Sequence, residues 1–292
     1  MIDYSFPLYR PPAEADNIII QATYGCSHNR CTFCSMYKTK KYQMRDIKDI
    51  YREIDILAKH YPDANKVFLG DGNALSLPTK VLTDLLHCLR QSFPKLSRVS
   101  VYATAQNLLE KTEQELNSLR DNGLSLIYFG IETGNDVLLK KINKGVTSKQ
   151  MIEALYKASN ANIKISVTVI LGLGGEVYSN EHIRDTAIII NATRINYLST
   201  LQLGLEEGVK ERFYQHFDEF TMSDDVQILK EQKQLLHLLN PVNKVIFRSN
   251  HASNALHLSG TLTKDTERLI GELETALIIG ERAFVPSWFR GF

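Results

Sequence analysis

The sequence has almost no net charge and contains no long hydrophobic run. Its 34 Lys and Arg residues are balanced by 33 Asp and Glu residues, which leaves a formal net charge of +1. This balance provides no overall attraction to nucleic acid or to an anionic membrane. The longest apolar run, near residues 167–173, is far shorter than the roughly 18 residues of a membrane-spanning helix. We therefore expect neither nucleic acid nor a membrane as a partner.

Targeting signals, repeats and linkers are also missing from the sequence. The first residues do not combine a basic region with an apolar run, as a secretory signal would. No repeat of fixed period, low-complexity segment or interdomain linker is evident. The 292 residues, 43% of them hydrophobic, suffice for a buried core in one large domain or two small ones. These features predict a soluble cytoplasmic protein.

Cysteine is scarce but unevenly distributed. The chain has four cysteines, and three of them, Cys26, Cys31 and Cys34, lie within nine residues. In a reducing cytosol such a cluster favours metal binding over disulfides. Cys88 lies in an amphipathic helical stretch, and we predict that it packs in the core, because free cysteine is among the most buried residue types.

Apolar segments rich in β-branched residues alternate with helical patterns along the chain. Strands are predicted at 17–24, 66–69, 98–103, 125–131, 164–171, 197–203 and 244–247. Helices are predicted at 47–60, 79–91, 112–122, 148–160, 181–196, 223–239 and 264–279. This alternation predicts an α/β fold, a partial or full (β/α) barrel of about six parallel strand–helix units. We expect an N-terminal extension (1–16), the barrel core (17–205) and a C-terminal extension packing on the barrel (206–292).

The three clustered cysteines follow the first predicted strand, where a (β/α) barrel builds its active site. Three thiolates from one loop can bind three irons of a cubane cluster and leave the fourth iron open to a ligand. One alternative is a structural zinc site with His28 as the fourth ligand, and another is a chance cluster of packing cysteines. Zinc sites usually combine ligand pairs from two loops, and the sequence has no second Cys or His pair at ligand spacing.

Residues 22–34 resemble the cluster loop of the radical S-adenosylmethionine (SAM) superfamily. That loop is usually Cys-x3-Cys-x2-Cys with an aromatic residue before the third cysteine, here Phe33. The present sequence has four residues between Cys26 and Cys31, which enlarges the loop. The resemblance implies that Cys26, Cys31 and Cys34 hold a 4Fe–4S cluster, and that this cluster binds SAM.

Residues after the second and third predicted strands resemble further SAM-binding elements of the superfamily. The segment after the second strand resembles the Gly-Gly-Glu motif, whose oxygens receive the ammonium group of SAM. This segment consists of Gly70, Asp71, Gly72 and Asn73. A tight turn is an equally good explanation of these residue types. Polar groups at 102–107, Thr104 among them, are predicted to reach the same cavity.

The segment 128–134 resembles the Gly-x-Glu-Ser/Thr-Gly signature of the subgroup that contains oxygen-independent coproporphyrinogen oxidase and the tRNA methylthiotransferases. Glu132 matches the acid that accepts hydrogen bonds from the ribose hydroxyls of SAM. A helix-start acid is the alternative, but an acid ending a barrel strand would otherwise be an unpaired buried charge.

Lys144 resembles a basic residue that pairs with the carboxylate of SAM in this subgroup. Ile170 and Gly172 match an element beside the adenine.

A polar segment at 247–254 follows the last predicted strand. Its side chains are predicted to contact substrate, although a plain polar loop is an equal alternative. The candidate substrate residues are Arg248, Asn250, His251 and Asn254.

The resemblance implies a radical SAM oxidoreductase or transferase. In such enzymes reductive cleavage of SAM yields a 5′-deoxyadenosyl radical, which abstracts hydrogen from a substrate. It also implies a low-potential electron donor such as flavodoxin or ferredoxin. Only Cys88 is left to bind a second cluster, which favours a single-cluster enzyme with a small-molecule substrate. The alternative is a non-enzymatic haem or tetrapyrrole carrier built on a radical SAM fold.

Overall fold

The structure, a computed structural model, describes residues 2–291. Its strands are β1 (Ile18–Gln21), β2 (Thr23–Tyr24), β3 (Gln43–Met44), β4 (Lys66–Gly70), β5 (Arg98–Ala103), β6 (Leu124–Glu132), β7 (Lys164–Leu171), β8 (Tyr197–Gln202), β9 (Val245–Ser249) and β10 (Leu258–Leu262). Its helices are α1 (Ile47–His60), α2 (Thr79–Ser92), α3 (Ala105–Glu110), α4 (Glu113–Asp121), α5 (Asp136–Lys141), α6 (Ser148–Asn160), α7 (Ser179–Ala192), α8 (Glu207–Tyr214), α9 (Asp225–Leu238) and α10 (Thr266–Ile279).

Eight strands form one sheet in the order β1-β4-β5-β6-β7-β8-β9-β10. The pairs from β1 to β6 and from β7 to β9 are parallel, whereas β10 pairs antiparallel with β9. A separate antiparallel pair joins β2 to β3. This confirms the predicted α/β fold of mostly parallel strands alternating with helices.

Every predicted strand and helix has a counterpart in the structure, but several short elements were not predicted. The elements that the sequence analysis did not predict are β3, β10, α3, α5 and α8. Each has eight residues or fewer, so hydrophobic periodicity has little length over which to develop.

The described chain divides into two compact units. The first contains residues up to Asn29 together with Met36–Phe129 and Tyr156–Ile165. Within it α1 packs against α2, and α2 packs against α4. Both faces of β4 are buried, as expected for a parallel strand that is covered on both sides.

The residues predicted as an N-terminal extension pack within this first unit. The backbone of Ser5 exchanges two hydrogen bonds with the side-chain amide of Gln21, at 3.0 and 2.8 Å. The buried carboxylate of Glu14 accepts hydrogen bonds from Tyr128 Oη at 2.5 Å and from Arg98 Nη2 at 2.8 Å. Hydrogen bonds to the buried Gln21 and from the strand residues Arg98 and Tyr128 therefore attach this segment to the strands. That it forms a separate extension stays a prediction.

The second unit contains Arg30–Ser35, Gly130–Leu155 and the residues from Ser166 onward. In it α9 packs against both α7 and α10, and α10 also covers β10. Arg290 forms a bidentate ion pair with Asp225, with Nη1–Oδ1 and Nη2–Oδ2 distances of 2.7 and 2.6 Å. This pair attaches the C-terminal residues to the start of α9. None of the helices within residues 2–291 combines the length and the apolar character needed to cross a membrane.

Candidate cofactor site

The three clustered cysteines follow β2 and are half-buried, and none of them forms a disulfide. Within the described residues no three His, Cys, Asp or Glu side chains come close enough to hold a single metal ion. A cubane is larger, and its cysteine ligands bind different irons, so they need not converge on one point.

The backbone before Cys26 is held by Asp71, which directly follows β4. The amide of Gly25 donates to Asp71 Oδ2 at 3.1 Å. Lys40 Nζ lies 2.8 Å from the same oxygen, and the Lys40 and Asp71 side chains are only 6% and 0% exposed. Gln21 Nε2 also donates to Oδ2, at 3.4 Å. The acid of the predicted ammonium-binding motif thus belongs to a buried ion pair beside the cysteine loop.

The backbone after Cys26 is held by Asn73. The amide of Ser27 donates to Asn73 Oδ1 at 2.9 Å, and Asn73 Nδ2 donates to Ser27 Oγ at 2.6 Å. Asn73 Nδ2 also donates to Asn107 Oδ1 at 3.0 Å. Asn107 in turn forms a capping box with Thr104 at the start of α3. Thr104 therefore serves as a helix cap, and its predicted contact with SAM stays a prediction.

Gly72 allows the turn after β4 and the cysteine loop to approach each other closely. The amide of Gly72 donates to the carbonyl of Gly25 at 3.0 Å. A Cβ atom at Gly72 would lie 2.7 Å from Cys26 Cβ and 2.9 Å from Cys26 Cα. Any larger residue would therefore displace the cysteine, which explains the glycine at this position.

In the second unit, Glu132 pairs with Lys144. Lys144 Nζ lies 2.8 Å from Glu132 Oε1, and both side chains are largely buried. Glu132 has a left-handed φ of 61°, which is uncommon for a residue with a side chain and often marks functional sites. A Cβ atom at Gly130 would lie 2.0 Å from Glu132 Oε1, so Gly130 provides the space that this carboxylate occupies.

The ion pair corrects the expectation that Glu132 would be an unpaired buried charge in the absence of SAM. Glu132 is not an unpaired buried charge, because Lys144 supplies its countercharge. The thiols of Cys31 and Cys34 are also close enough to interact electrostatically with Lys144. Burial alone would lower the pKa of Lys144, but the carboxylate and these thiols outweigh it and raise the pKa above its ordinary value. Lys144 thus places a positive charge beside both the acid and two candidate cluster ligands.

The end of β7 carries the predicted adenine element, Ile170 and Gly172. Gly172 has a left-handed φ of 76°, and a Cβ atom there would lie 2.6 Å from Ile228 Cδ1. Its amide donates to the buried carboxylate of Glu231, which also accepts from Ser179 Oγ at 2.8 Å. Burial raises the pKa of Glu231 to about 7. Glu231, which lies on α9, therefore holds the turn after β7 in place by hydrogen bonding.

His182, on α7, joins the ends of β6 and β7 within the second unit. Its Nε2 lies 3.0 Å from the carbonyl of Ile170, and its Nδ1 lies 2.8 Å from Thr133 Oγ1. Burial lowers the pKa of His182 to about 4, so the ring is neutral at pH 7. Because a carbonyl can only accept, Nε2 carries the proton and Nδ1 accepts from the Thr133 hydroxyl.

The candidate substrate residues do not share one environment. Asn254 is buried, and its amide group bonds the carbonyl of Thr200, Ser249 Oγ and the amide of Gln202, all within 2.9 Å. Its role in the structure is to join β8 to β9. Arg248 and Asn250 are exposed, and His251 is half-buried, with burial lowering its pKa. Their contact with substrate stays a prediction.

Sequence reasoning missed Lys40, His182 and Glu231. Lys40 lies among other lysines, and the other two lie on helices at positions that fit an ordinary amphipathic pattern. Their partners lie between 12 and 59 residues away in the chain. No local pattern could have indicated these contacts.

The fold is a mostly parallel sheet alternating with helices, and a three-cysteine loop follows its first strand, as expected from the resemblance to the radical SAM superfamily. The family model described as the Radical SAM superfamily matches residues 20–187, which is more than half of the 292 residues. The chain therefore belongs to the radical SAM superfamily. The cofactors of this superfamily are a 4Fe–4S cluster and SAM, as the resemblance implied.

The chain is similar to two kinds of curated protein within the predicted subgroup. It is 26% identical to the heme chaperone HemW of Bacillus subtilis (strain 168) over 142 residues, which cover 48% of this chain and 38% of HemW. It is 23% identical to the tRNA-2-methylthio-N(6)-dimethylallyladenosine synthase of Alkaliphilus oremlandii (strain OhILAs) over 241 residues, which cover 80% of this chain and 48% of that protein. The matches thus span less than half the length of these relatives.

Among solved structures, the fold is similar to coproporphyrinogen III oxidase (HemN) from Escherichia coli. The TM-score is 0.57 at 16% identity, and the match covers 76% of this chain and 52% of HemN. At this level of identity the likeness concerns the fold alone. It agrees with the predicted barrel architecture.

Proposed function

We propose that Cys26, Cys31 and Cys34 hold a 4Fe–4S cluster and that the chain is a radical SAM enzyme acting on a small-molecule substrate. The observation that carries this proposal is the loop around Cys26. Its backbone is anchored on both sides by residues that follow β4, and Gly72 leaves just enough room for the cysteine. An anchored loop with cysteines outside any disulfide fits a cluster that needs three thiolates and one open iron.

The chemistry that the two cofactors supply when bound is reductive cleavage of SAM to a 5′-deoxyadenosyl radical, which abstracts hydrogen from the substrate. The protein binds and orients SAM. Glu132, whose Oε1 accepts from Lys144, would also accept hydrogen bonds from the ribose hydroxyls. Lys144 would attract the carboxylate of SAM, and Ile170 and Gly172 would contact the adenine. A low-potential flavodoxin or ferredoxin supplies the electron.

Anaerobic reconstitution with iron and sulfide tests this proposal. The wild-type chain should bind about four irons with matching sulfide, and the reduced protein should release 5′-deoxyadenosine from SAM. A variant with all three cysteines replaced by Ala is the control and should do neither. Stoichiometric zinc without labile sulfide in the wild-type protein would overturn the proposal.

A haem or tetrapyrrole carrier is the second candidate function. The similarity to the heme chaperone HemW supports it. Haem titration of the reconstituted protein, followed by an assay for 5′-deoxyadenosine, separates the two functions. Tight haem binding without SAM cleavage would favour the carrier, whereas SAM cleavage without haem binding would favour the enzyme.

A further inference from the structure

Asp71 is the acid of the segment that resembles the superfamily's Gly-Gly-Glu motif, but it lies one position before the place of the motif's Glu, and its surroundings differ from those of a ligand-binding acid. The side chain is 0% exposed. Its Oδ2 accepts from the amide of Gly25, from Lys40 Nζ and from Gln21 Nε2. Three donors, one of them charged, already surround this oxygen.

Lys40 is held in place by a second contact. Its Nζ donates to the carbonyl of Ser5 at 2.6 Å, in addition to its bond with Asp71. The ring of the buried Tyr37 lies beside it, with Nζ 5.9 Å from the ring centroid. The ammonium group is therefore fixed against Asp71, and the ammonium group of SAM would meet a charge that is already compensated.

The contact between Asp71 and Gly25 acts directly on the cysteine loop. Gly25 precedes Cys26 and has a left-handed φ of 68°. The Asp71 carboxylate accepts a hydrogen bond from the Gly25 amide at 3.1 Å, so it helps to position the backbone that carries the first cysteine. Breaking a buried ion pair by removing one partner leaves an uncompensated charge, which displaces the groups around it.

We infer that Asp71 and Lys40 are positioning residues for the cluster, which fix Cys26 through the Gly25 amide, and that Asp71 does not receive the ammonium of SAM. This inference rests on the proposed function. Asp71 Oδ1 accepts no hydrogen bond from the described residues, so the test has to separate a role in the cluster loop from a role in SAM binding.

The experiment compares Asp71→Asn, Lys40→Met and the double variant with the wild type. Asp63→Asn is the matched control, because the Asp63–Lys95 ion pair at 2.7 Å is exposed to solvent. Each protein is reconstituted anaerobically. Three properties are then measured for each protein: the rate at which a chelator removes iron in the absence of SAM, the SAM affinity of the fraction that holds a cluster, and the EPR spectrum of the reduced, SAM-free cluster.

Both single variants should lose iron about tenfold faster than the wild type, since each leaves a buried charge unpaired. Their SAM-free EPR spectra should differ from that of the wild type, whereas SAM affinity should stay within about twofold, well below the tenfold change that 1.4 kcal/mol produces. The double variant should be no worse than either single variant, because the two residues act through one contact. The Asp63→Asn control should match the wild type.

Several outcomes would contradict this inference. If Asp71→Asn kept the cluster at the wild-type rate but lost SAM affinity at least tenfold, Asp71 would be the ammonium acceptor and the inference would be overturned. If Asp71→Asn failed to fold, Lys40→Met would decide, because it leaves the acid intact: a wild-type rate of iron loss there would also overturn the inference. A wild-type chain that takes up no cluster would overturn the proposed function and this inference together, whereas unaffected variants would overturn only the inference.

Discussion

Lys144 Nζ, in the loop after α5, lies 2.8 Å from Oε1 of Glu132, the last residue of β6. The sequence predicted a separate contact with SAM for each of these two residues. The left-handed backbone at Glu132 and the missing side chain at Gly130 hold the carboxylate in this position. Such local strain persists only where the surrounding structure maintains it. The pair therefore presents one carboxylate oxygen and one ammonium group within a single small site.

Glu132→Gln should weaken SAM binding. The amide keeps the shape of the side chain but removes the charge that ribose hydroxyls and Lys144 both use. The loss of one charge-assisted hydrogen bond costs roughly 1.5–3 kcal/mol, or about ten- to a hundredfold in affinity. Anaerobic SAM titration of the reconstituted protein measures this change.

The control for this variant is Glu153→Gln, at an exposed position of α6. It should bind SAM like the wild type, and both variants should load iron normally. Equal SAM affinities for Glu132→Gln and the wild type would leave Glu132 with a structural role only.

Replacing Cys26, Cys31 or Cys34 by Ala should abolish the cluster, because a cubane with an open iron needs all three thiolates. Cys88→Ala should keep it. Cys88 is half-buried on α2, and burial raises the pKa of its thiol, which keeps it protonated at pH 7. Iron and sulfide analysis of the four variants checks this, and iron loss from Cys88→Ala would contradict it.

Gly72→Ala should impair cluster assembly, since the added methyl group would lie 2.7 Å from Cys26 Cβ and 2.9 Å from the carbonyl oxygen of Gly25. Two of the three close atoms belong to backbone, so the loop itself has to move. Gly271→Ala is the matched control, because nothing lies within 4 Å of that position on α10. We expect several-fold less iron in Gly72→Ala and wild-type iron in the control. Equal iron content would show that the loop tolerates the displacement.

His182 should contribute stability to the folded protein above pH 6.5, and this contribution should be lost at lower pH. Its pKa is lowered from 6.5 to about 4 in the folded state. Between pH 4 and pH 6.5 the unfolded state binds more protons than the folded state. The contribution of His182 to stability is therefore complete above pH 6.5 and is lost as the pH falls through 4. Glu231, with its pKa raised to about 7, has the opposite dependence between pH 4.5 and 7.

Comparison with His182→Gln isolates the histidine, because Glu231 is present in both proteins. Between pH 7 and pH 4.5 the wild type should lose roughly 2 kcal/mol more unfolding free energy than the variant. Urea unfolding at the two pH values measures this difference. Parallel pH profiles would mean that His182 is not held neutral by burial.

The sequence by itself determined the fold class, the cysteine loop and the family. These depend on patterns that are local in the chain, namely the alternation of strand and helix periodicity and a set of cysteines within nine residues. Short elements such as α3 and the antiparallel edge strand β10 escaped detection, because they pack through contacts that lie outside their own sequence.

The tertiary structure decided which polar residues meet. The pairing of Asp71 with Lys40 joins residues 31 apart in the chain, and Gly172 meets Glu231 across 59 residues. Glu132 and Lys144 were each predicted to bind SAM, yet their mutual pairing depends on the backbone geometry at Glu132 and on the absence of a side chain at Gly130. A buried charge must find a partner, and only the packed chain determines which partner lies within reach.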